Sequence, residues 1–187
     1  MACLLSDGRG LECRESIGGI RNVYFANDNT LGNYTITDSE LTDVSGTATI
    51  FKYALIPQSS GFDEAITVSE ENGTVFFEQT LSLALPNVNK TQLQVLKVLT
   101  EGRFQVFVED NNLDASGNGK VFLAGAFNGM TVTGGNVGKG QAFGDMNGYN
   151  LTLVGREKDA AIIVEPSTTA GSPFADFSTI TVDDGSW

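Results

Sequence analysis

The chain contains no histidine. That absence removes Ser-His-Asp and Cys-His nucleophilic catalysis, histidine-based zinc sites and H-E-x-x-H hydrolases together. Cysteine is limited to Cys3 and Cys13, whose spacing fits neither a C-x-x-C redox pair nor half of a zinc site, so both read as small, reduced, packed residues. Cations are scarce. Lys and Arg number 11 against 23 Asp and Glu, for a formal charge of -12, which argues against binding DNA or RNA by neutralising phosphates. Such a surface suits instead a wall past which a polyanion slides without sticking. No apolar run is long enough to cross a bilayer as a helix, and Met1 to Gly10 lacks the basic start and apolar core of a secretory signal. A soluble protein made in a cytoplasm is predicted. The four N-x-[ST] sequons, at Asn33, Asn72, Asn89 and Asn150, are then accidental.

Proline is rare at 4 residues, while glycine is abundant at 22, a balance that favours many tight turns and β-structure. With 41% hydrophobic and 9% aromatic residues, the chain folds as a globular body. Its 187 residues make one domain, with an N-terminal arm over about residues 1–19 and a mixed C-terminal segment over about 166–187. One stretch predicts a helix. Asn89 with Gln92 forms a capping-box variant, and Val88, Gln92, Val95, Leu96 and Leu99 make a mainly apolar stripe that ends at Gly102. A helix of that length covers a sheet; it does not form a core alone.

The remainder reads as strands. Ile20 to Ala26, a short strand around Tyr34 and Ile36, and Thr47 to Leu55 come first, with Asp38 to Gly46 between the last two as an acidic loop bearing Asp38, Glu40 and Asp43. The longest hairpin pairs Phe62 to Glu70 with Thr74 to Leu85 across Glu71, Asn72 and Gly73. Its outgoing strand would span roughly 40 Å, about twice the usual length. An edge that long invites aggregation unless another copy completes it. After the helix come Phe104 to Glu109, Val121 to Phe127, Met130 to Thr133, Tyr149 to Val154 and Ala161 to Val164, with Gly134 to Gly144 as a long flexible connection.

Patterns that could carry chemistry do not complete. Asp110, Asn112, Asp114 and Ser116 have the spacing of a calcium loop, but Ala115 stands where glycine is needed and Val121 where the bidentate glutamate belongs. The glycines from Gly134 onward do not follow a strand and open a helix, so they are no phosphate loop. Glu70 with Glu71, and Asp183 with Asp184, are adjacent in extended chain and point to opposite faces. The expectation is a non-enzyme with no cofactor or metal.

From Phe104 to Glu157 a succession of short pieces carries a likeness. These are Val106-Phe107-Val108-Glu109-Asp110-Asn111, Phe122-Leu123-Ala124-Gly125, Asn128-Gly129-Met130 and Gly144-Asp145-Met146-Asn147-Gly148-Tyr149, followed by Leu151-Thr152-Leu153, Gly155 and Glu157. The opening Gly18-Gly19-Ile20 leading to Val23-Tyr24-Phe25 adds to them. In this order they resemble the tail tube proteins, or major tail proteins, of tailed bacteriophages. The resemblance implies a mainly β, antiparallel sandwich or barrel-like subunit with one flanking helix and a long hairpin. It also implies six-membered rings whose strands form one inner barrel, stacked into a virion tail tube that is assembled in the host cytoplasm. Partners would be further copies and sheath, tape measure, baseplate and terminator proteins, with DNA passing through unbound. On that reading Glu64, Glu70 and Glu78 line the lumen, while Asp38, Glu40, Asp43 and the terminal arms contact the next ring. A tube of a contractile injection system or a tail terminator shares the architecture. A carbohydrate-binding sandwich or adhesin domain is the alternative of another class, although the sole tryptophan, Trp187, lies at the end of the chain.

Overall fold

The computed structural model describes residues 16–87 and 89–185. Cys3, Cys13, Val88 and Trp187, and most of the predicted N-terminal arm, lie outside that range. The described chain is mainly β with one helix, as expected. Its strands are β1 (Ile20–Asn27), β2 (Tyr34–Thr37), β3 (Glu40–Val44), β4 (Ala48–Ala54), β5 (Gly61–Ser69) and β6 (Thr74–Pro86), followed after the helix α1 (Lys90–Glu101) by β7 (Phe104–Asp110), β8 (Val121–Ala124), β9 (Met130–Gly138), β10 (Gly148–Glu157), β11 (Ile162–Val164) and β12 (Ile180–Asp183).

Hydrogen bonding divides these into two sets. Eight strands run β12-β4-β1-β7-β8-β11-β3-β2, and four run β9-β10-β6-β5. The sets meet where Phe104 of β7 pairs with Met130 of β9. The sheet is not closed, and it is mixed where the sequence suggested an antiparallel one: β11 with β3 and β12 with β4 are parallel. Both parallel partners come from the C-terminal part of the chain, which returns over the body by long connections, the route that parallel pairing requires.

Alternation along β1 and β7 builds two cores at once. Val23, Phe25, Val106 and Val108 enter one core, shared with the four-stranded sheet and Leu99 of α1. Tyr24, Ala26 and Phe107 enter the other, which strands of the eight-stranded part share with Phe174 and Phe177. Those two rings and Ile180 dock on the chain's own body, while Val182 stays exposed. Strands buried on both faces read as near-continuous apolar runs, which is how Val23 to Ala26 and Phe104 to Val108 appear.

The helix forms as predicted. Asn89 Oδ1 accepts from the Gln92 N–H at 2.8 Å, and Gln92 Oε1 accepts from the Asn89 N–H at 3.2 Å, satisfying donors that a helix start leaves open. Leu99 is buried with Val95 and Leu96 partly so; burying one leucine contributes about 2 kcal/mol. Gly102 donates its N–H to Val98 O at 2.9 Å with extended dihedrals, so left-handed geometry is not why glycine stands there. A Cβ would lie 2.5 Å from the Phe104 ring, and the absent side chain lets that ring pack.

Two stretches differ from expectation. The acidic loop is a hairpin: Asp38 and Ser39 take φ of 52° and 71°, the pair of positive values a two-residue hairpin turn uses, and Glu40–Val44 is a strand held between β2 and β11. A register shift between Thr35 and Ile36 breaks the alternation by which the strand would have been seen. The glycine-rich connection is half strand, since β9 continues to Gly138. A Cβ on Gly135 would sit 2.5 Å from Asn150 O, so the close approach of β10 selects glycine within the strand.

Candidate assembly face

Register fixes what each side of the four-stranded sheet presents, because residues directly opposite across strands share a face. Leu81 pairs with Phe62 and Leu153, Leu83 with Leu151, and Leu85 with Tyr149. These lie toward the body, where residues of α1, β1 and β7 pack against them. The other face is short and polar, in rungs. Asp63 stands beside Thr80, Val154 and Thr131; Ala65 beside Glu78 and Arg156; Ser82 beside Thr152; and Asn150 beside Ala84 and Asn136. The Asn150 Nδ2 donates to Asn136 Oδ1 at 3.3 Å. Most of these residues are exposed or half-buried.

The three glutamates predicted to lie together do not. Glu78 is on the polar face, where Arg156 Nε donates to its carboxylate at 2.7 Å. Glu70 is in the turn at the hairpin tip. Glu64 pairs with Gln79 on the body side, correcting its assignment to the same lining as Glu78: its Oε1 accepts from Gln79 Nε2 at 3.0 Å and from the Ala161 N–H at 2.7 Å. Gln79 is buried and passes the link on, its Oε1 accepting from the Gly125 N–H at 2.8 Å. The acid on β5 that does share the face of Glu78 is Asp63. Asp63 and Glu78 against Arg156 leave one net negative charge on the strands of this face. It is a carpet of hydroxyls and amides more than an acidic wall.

Both margins of this sheet are open among the described residues. β5 pairs with β6 only, and β9 beyond Met130 pairs with β10 only. The other margin of the long hairpin is not open, because β10 covers β6 from Phe77 to Pro86. Beyond Phe77 the hairpin projects as two strands, and there the body-side face has no body under it. Ile66, Val68 and Val75 are 64%, 61% and 51% exposed. Unpaired backbone beside bare apolar side chains is the pattern of a strand awaiting a partner.

No family model matches the chain, and no curated protein is detectably similar to it.

Asp38 and Asp43 are exposed and Glu40 is half-buried, all on the β2–β3 hairpin, which projects Asp38 at its turn. Asp43 Oδ1 accepts from the Val44 N–H at 2.8 Å. The stretch with calcium-loop spacing is a loop braced by its own acids. Asp110 Oδ1 accepts from the N–H groups of Asn112 and Lys120, and Asp114 Oδ1 from those of Ser116 and Asn118. No group of three acidic, cysteine or histidine side chains is placed to hold a metal among the described residues. Nor, among those residues, is any helix long and apolar enough to cross a membrane.

A buried carboxylate that sequence reading passed over lies under β1. Glu109 accepts from Asn22 Nδ2 at 2.6 Å, the Tyr24 hydroxyl at 2.8 Å and the Gly119 N–H at 3.3 Å. Burial and the Glu109 charge push the Tyr24 phenol well above its ordinary range, so it stays a donor to that carboxylate. Only the alternation of β1 hinted at it, in the polar Asn22 within an otherwise apolar run.

Proposed function

We propose that this chain is the structural subunit of a homo-oligomeric tube, of the phage tail tube kind it resembles, whose rings form a channel for genome delivery. The observation that carries the reading is the four-stranded sheet, with one mainly polar face and, among the described residues, two open margins that run in opposite directions. Three antiparallel pairings separate β9 from β5, so the two margins are antiparallel to each other. Rotation about an axis along the strands would set β5 of one copy beside β9 of the next, in the same alternating sense as within the sheet. That contact joins unlike surfaces, and contacts of this type close into rings when the rotation closes. Six copies, the number the resemblance implies, would make one continuous barrel with four strands from each.

In such a barrel the polar rungs face the lumen. Glu78 then stays in the lining with Asp63 and the threonine and asparagine side chains, while Glu64 and Glu70, named with it from the sequence, leave it. Release of DNA follows from a lack of anchoring cations: Arg156 is already engaged by Glu78, and neutral hydroxyls offer phosphates no counterion exchange. Ile66, Val68 and Val75 would be covered by the adjoining copy, and the β2–β3 hairpin with Asp38, Glu40 and Asp43 is the element offered to the next ring. Sheath, tape measure, baseplate and terminator proteins are the partners of this reading, and the virion tail is its location.

Negative-stain microscopy of the purified chain tests it. Rings or tubes with a central channel are expected. A species that remains monomeric at all concentrations, with β5 amides exchanging no more slowly than loop amides, would overturn it.

A further inference from the structure

We infer that the loop between β9 and β10 of one copy seats Phe143 in the cleft beside Tyr34 and Phe127 of a second copy, joining the two end to end along the strands. The contact rests on the reading of the chain as a self-assembling subunit, and it is separate from the side-by-side pairing of β5 with β9. It also gives the β2–β3 hairpin a counterpart in the next ring.

The loop holds its aromatic ring out. Phe143 is fully exposed, and Val137 and Met146 near it are partly bare. Asp145 Oδ2 accepts from the N–H groups of Gln141 and Ala142, both at 2.8 Å, and the Asp145 N–H donates to Ala142 O at 3.1 Å. These bonds close a turn around Phe143. Gly140 takes a φ of 70°, and a Cβ there would lie 2.6 Å from that of Asp145, so glycine lets the turn close. The Asn87 N–H donates to Asn147 O at 2.8 Å, which fastens the loop to the end of β6. An aromatic side chain held ready in this way is the kind of anchor that carries binding energy at interfaces.

The seat is a cleft of about 340 Å³ whose lining includes Asn29, Tyr34, Ile36, Gln105, Ala126 and Phe127, a size that suits a small aromatic group. Ile36 and Phe127 are 47% and 61% exposed, so the monomer leaves apolar surface uncovered there. Its walls are bonded to one another. The Tyr34 hydroxyl donates to Ala126 O at 2.6 Å, while Gln105 Nε2 donates to that hydroxyl at 2.6 Å and to Ala126 O at 3.0 Å. The rings of Tyr34 and Phe127 meet edge-on at 5.5 Å. Such a pre-formed cleft loses little freedom when filled, and a third ring packs well against an edge-on pair.

Topology names the occupant. Gly148 pairs with Pro86 and Gly138 at one end of the four-stranded sheet, which is the end that carries the loop. At the other, across the ten residues of β10 and roughly 30 Å away, Glu157 Oε1 accepts from the Phe127 N–H at 3.0 Å and so places the cleft there. Knob and seat therefore lie at opposite ends of the same strands. A second copy displaced along the strand direction brings one to the other, and a contact between unlike surfaces that does not close repeats from copy to copy. Charge agrees with this pairing. Lys139 is exposed and is the loop's one cation, while its one acid, Asp145, is engaged within the turn. No cation lines the cleft among the described residues, and burial together with the charges of Glu157 and Asp28 raises the Tyr34 phenol, which puts both acids near the seat.

Full-length chains with Cys3→Ser and Cys13→Ser provide the test. One carries Ala142→Cys, which leaves Phe143 in place, and the other Ile36→Cys; the two are mixed and oxidised, and products are read by non-reducing electrophoresis and peptide mass. The disulfide between these chains should form about tenfold faster than one between the Ala142→Cys chain and a chain carrying Val98→Cys on the exposed side of α1, the scale of a single aromatic anchor. Adding Phe143→Asp to the Ala142→Cys chain should abolish that advantage while circular dichroism stays unchanged. Microscopy of the Phe143→Asp chain should show single rings that do not stack. Equal rates with Ile36→Cys and Val98→Cys would overturn the inference. So would a faster product joining two Ala142→Cys chains, or tubes of ordinary length from Phe143→Asp chains that also form rings. A fast disulfide to Ile36→Cys from chains that never form rings would instead sustain the end-to-end contact and remove the barrel.

Discussion

The eight-stranded part and the four-stranded sheet use the same alternating grammar to different ends. β1 and β7 are buried on both faces, between two cores. β5 is exposed from Asp63 to Val68 and, among the described residues, keeps an open margin. Burial on two sides leaves a strand nothing to offer a partner, whereas a strand that is polar on one side, bare on the other and unpaired at its edge has settled little of its own free energy within the monomer. The contrast separates strands whose burial on both faces holds the monomer together from an edge strand that the proposed association would complete.

The comparison can be broken most directly at its rigid end. Phe107, fully buried with its ring 5.0 Å from that of Phe174 in an edge-on arrangement, should cost about 3–5 kcal/mol when changed to alanine. Thermal melting followed by circular dichroism reads the loss. A shift no larger than that of a surface substitution would mean that the second core is not what holds the monomer together.

Glu109→Ala comes next. It leaves Asn22 Nδ2, the Tyr24 hydroxyl and the Gly119 N–H without their acceptor, at a cost of about 1–3 kcal/mol for each buried donor that water cannot reach. Denaturant titration should show a lower midpoint with an unchanged slope. Glu109→Gln, which keeps an acceptor oxygen, should recover part of the loss.

Alkali probes the same contrast through tyrosine. Burial pushes the Tyr53 phenol up to about 12, and burial together with the charges of Glu157 and Asp28 raises Tyr34. A phenol with a folded pKa above its unfolded value of about 10 binds more protons folded than unfolded in that interval, so stability falls as pH rises. The contribution is complete below pH 10 and is lost as pH climbs through 12. Urea midpoints measured from pH 8 to 12 should decline only above 10; a flat profile would contradict the burial of these rings.

The smallest effect on stability and the largest on association are expected at one place. Ile66→Asp with Val68→Asp alters exposed side chains at the hairpin tip, and substitutions of that kind shift folding by about 0.5 kcal/mol or less. Microscopy should nevertheless find rings and tubes gone. Wild-type assembly by the double variant would sever the link drawn between the bare tip and association.

Much of the local design was readable in advance. The capping box of Asn89 and Gln92, the hairpin around Asn72 and Gly73, and the apolar runs of β1 and β7 all rest on interactions within a few residues of one another. The misplaced lining shows where this ends. Glu64 and Glu78 belong to two strands of one hairpin, and the register pairs Glu64 with Gln79, not Glu78. The turn runs from Glu70 to Gly73, one residue longer than the Glu71 to Gly73 expected from the sequence, and that single residue shifts the register and sends Glu64 to the other face. The strand character of Glu40–Val44 was hidden for the same kind of reason: β11, more than a hundred residues later, pairs with its first two residues.

By itself, then, the sequence determined that the chain is acidic, rich in strands, free of histidine chemistry and provided with one capped helix, because composition and periodicity act over short distances. The tertiary structure alone decided which acids share a face, that Phe174 and Phe177 join the second core, and that the sheet margins at β5 and β9, open among the described residues, run in opposite senses. Those depend on register and on pairings between residues far apart in the chain, where a single-residue slip or a late-arriving strand changes the outcome without changing any local preference.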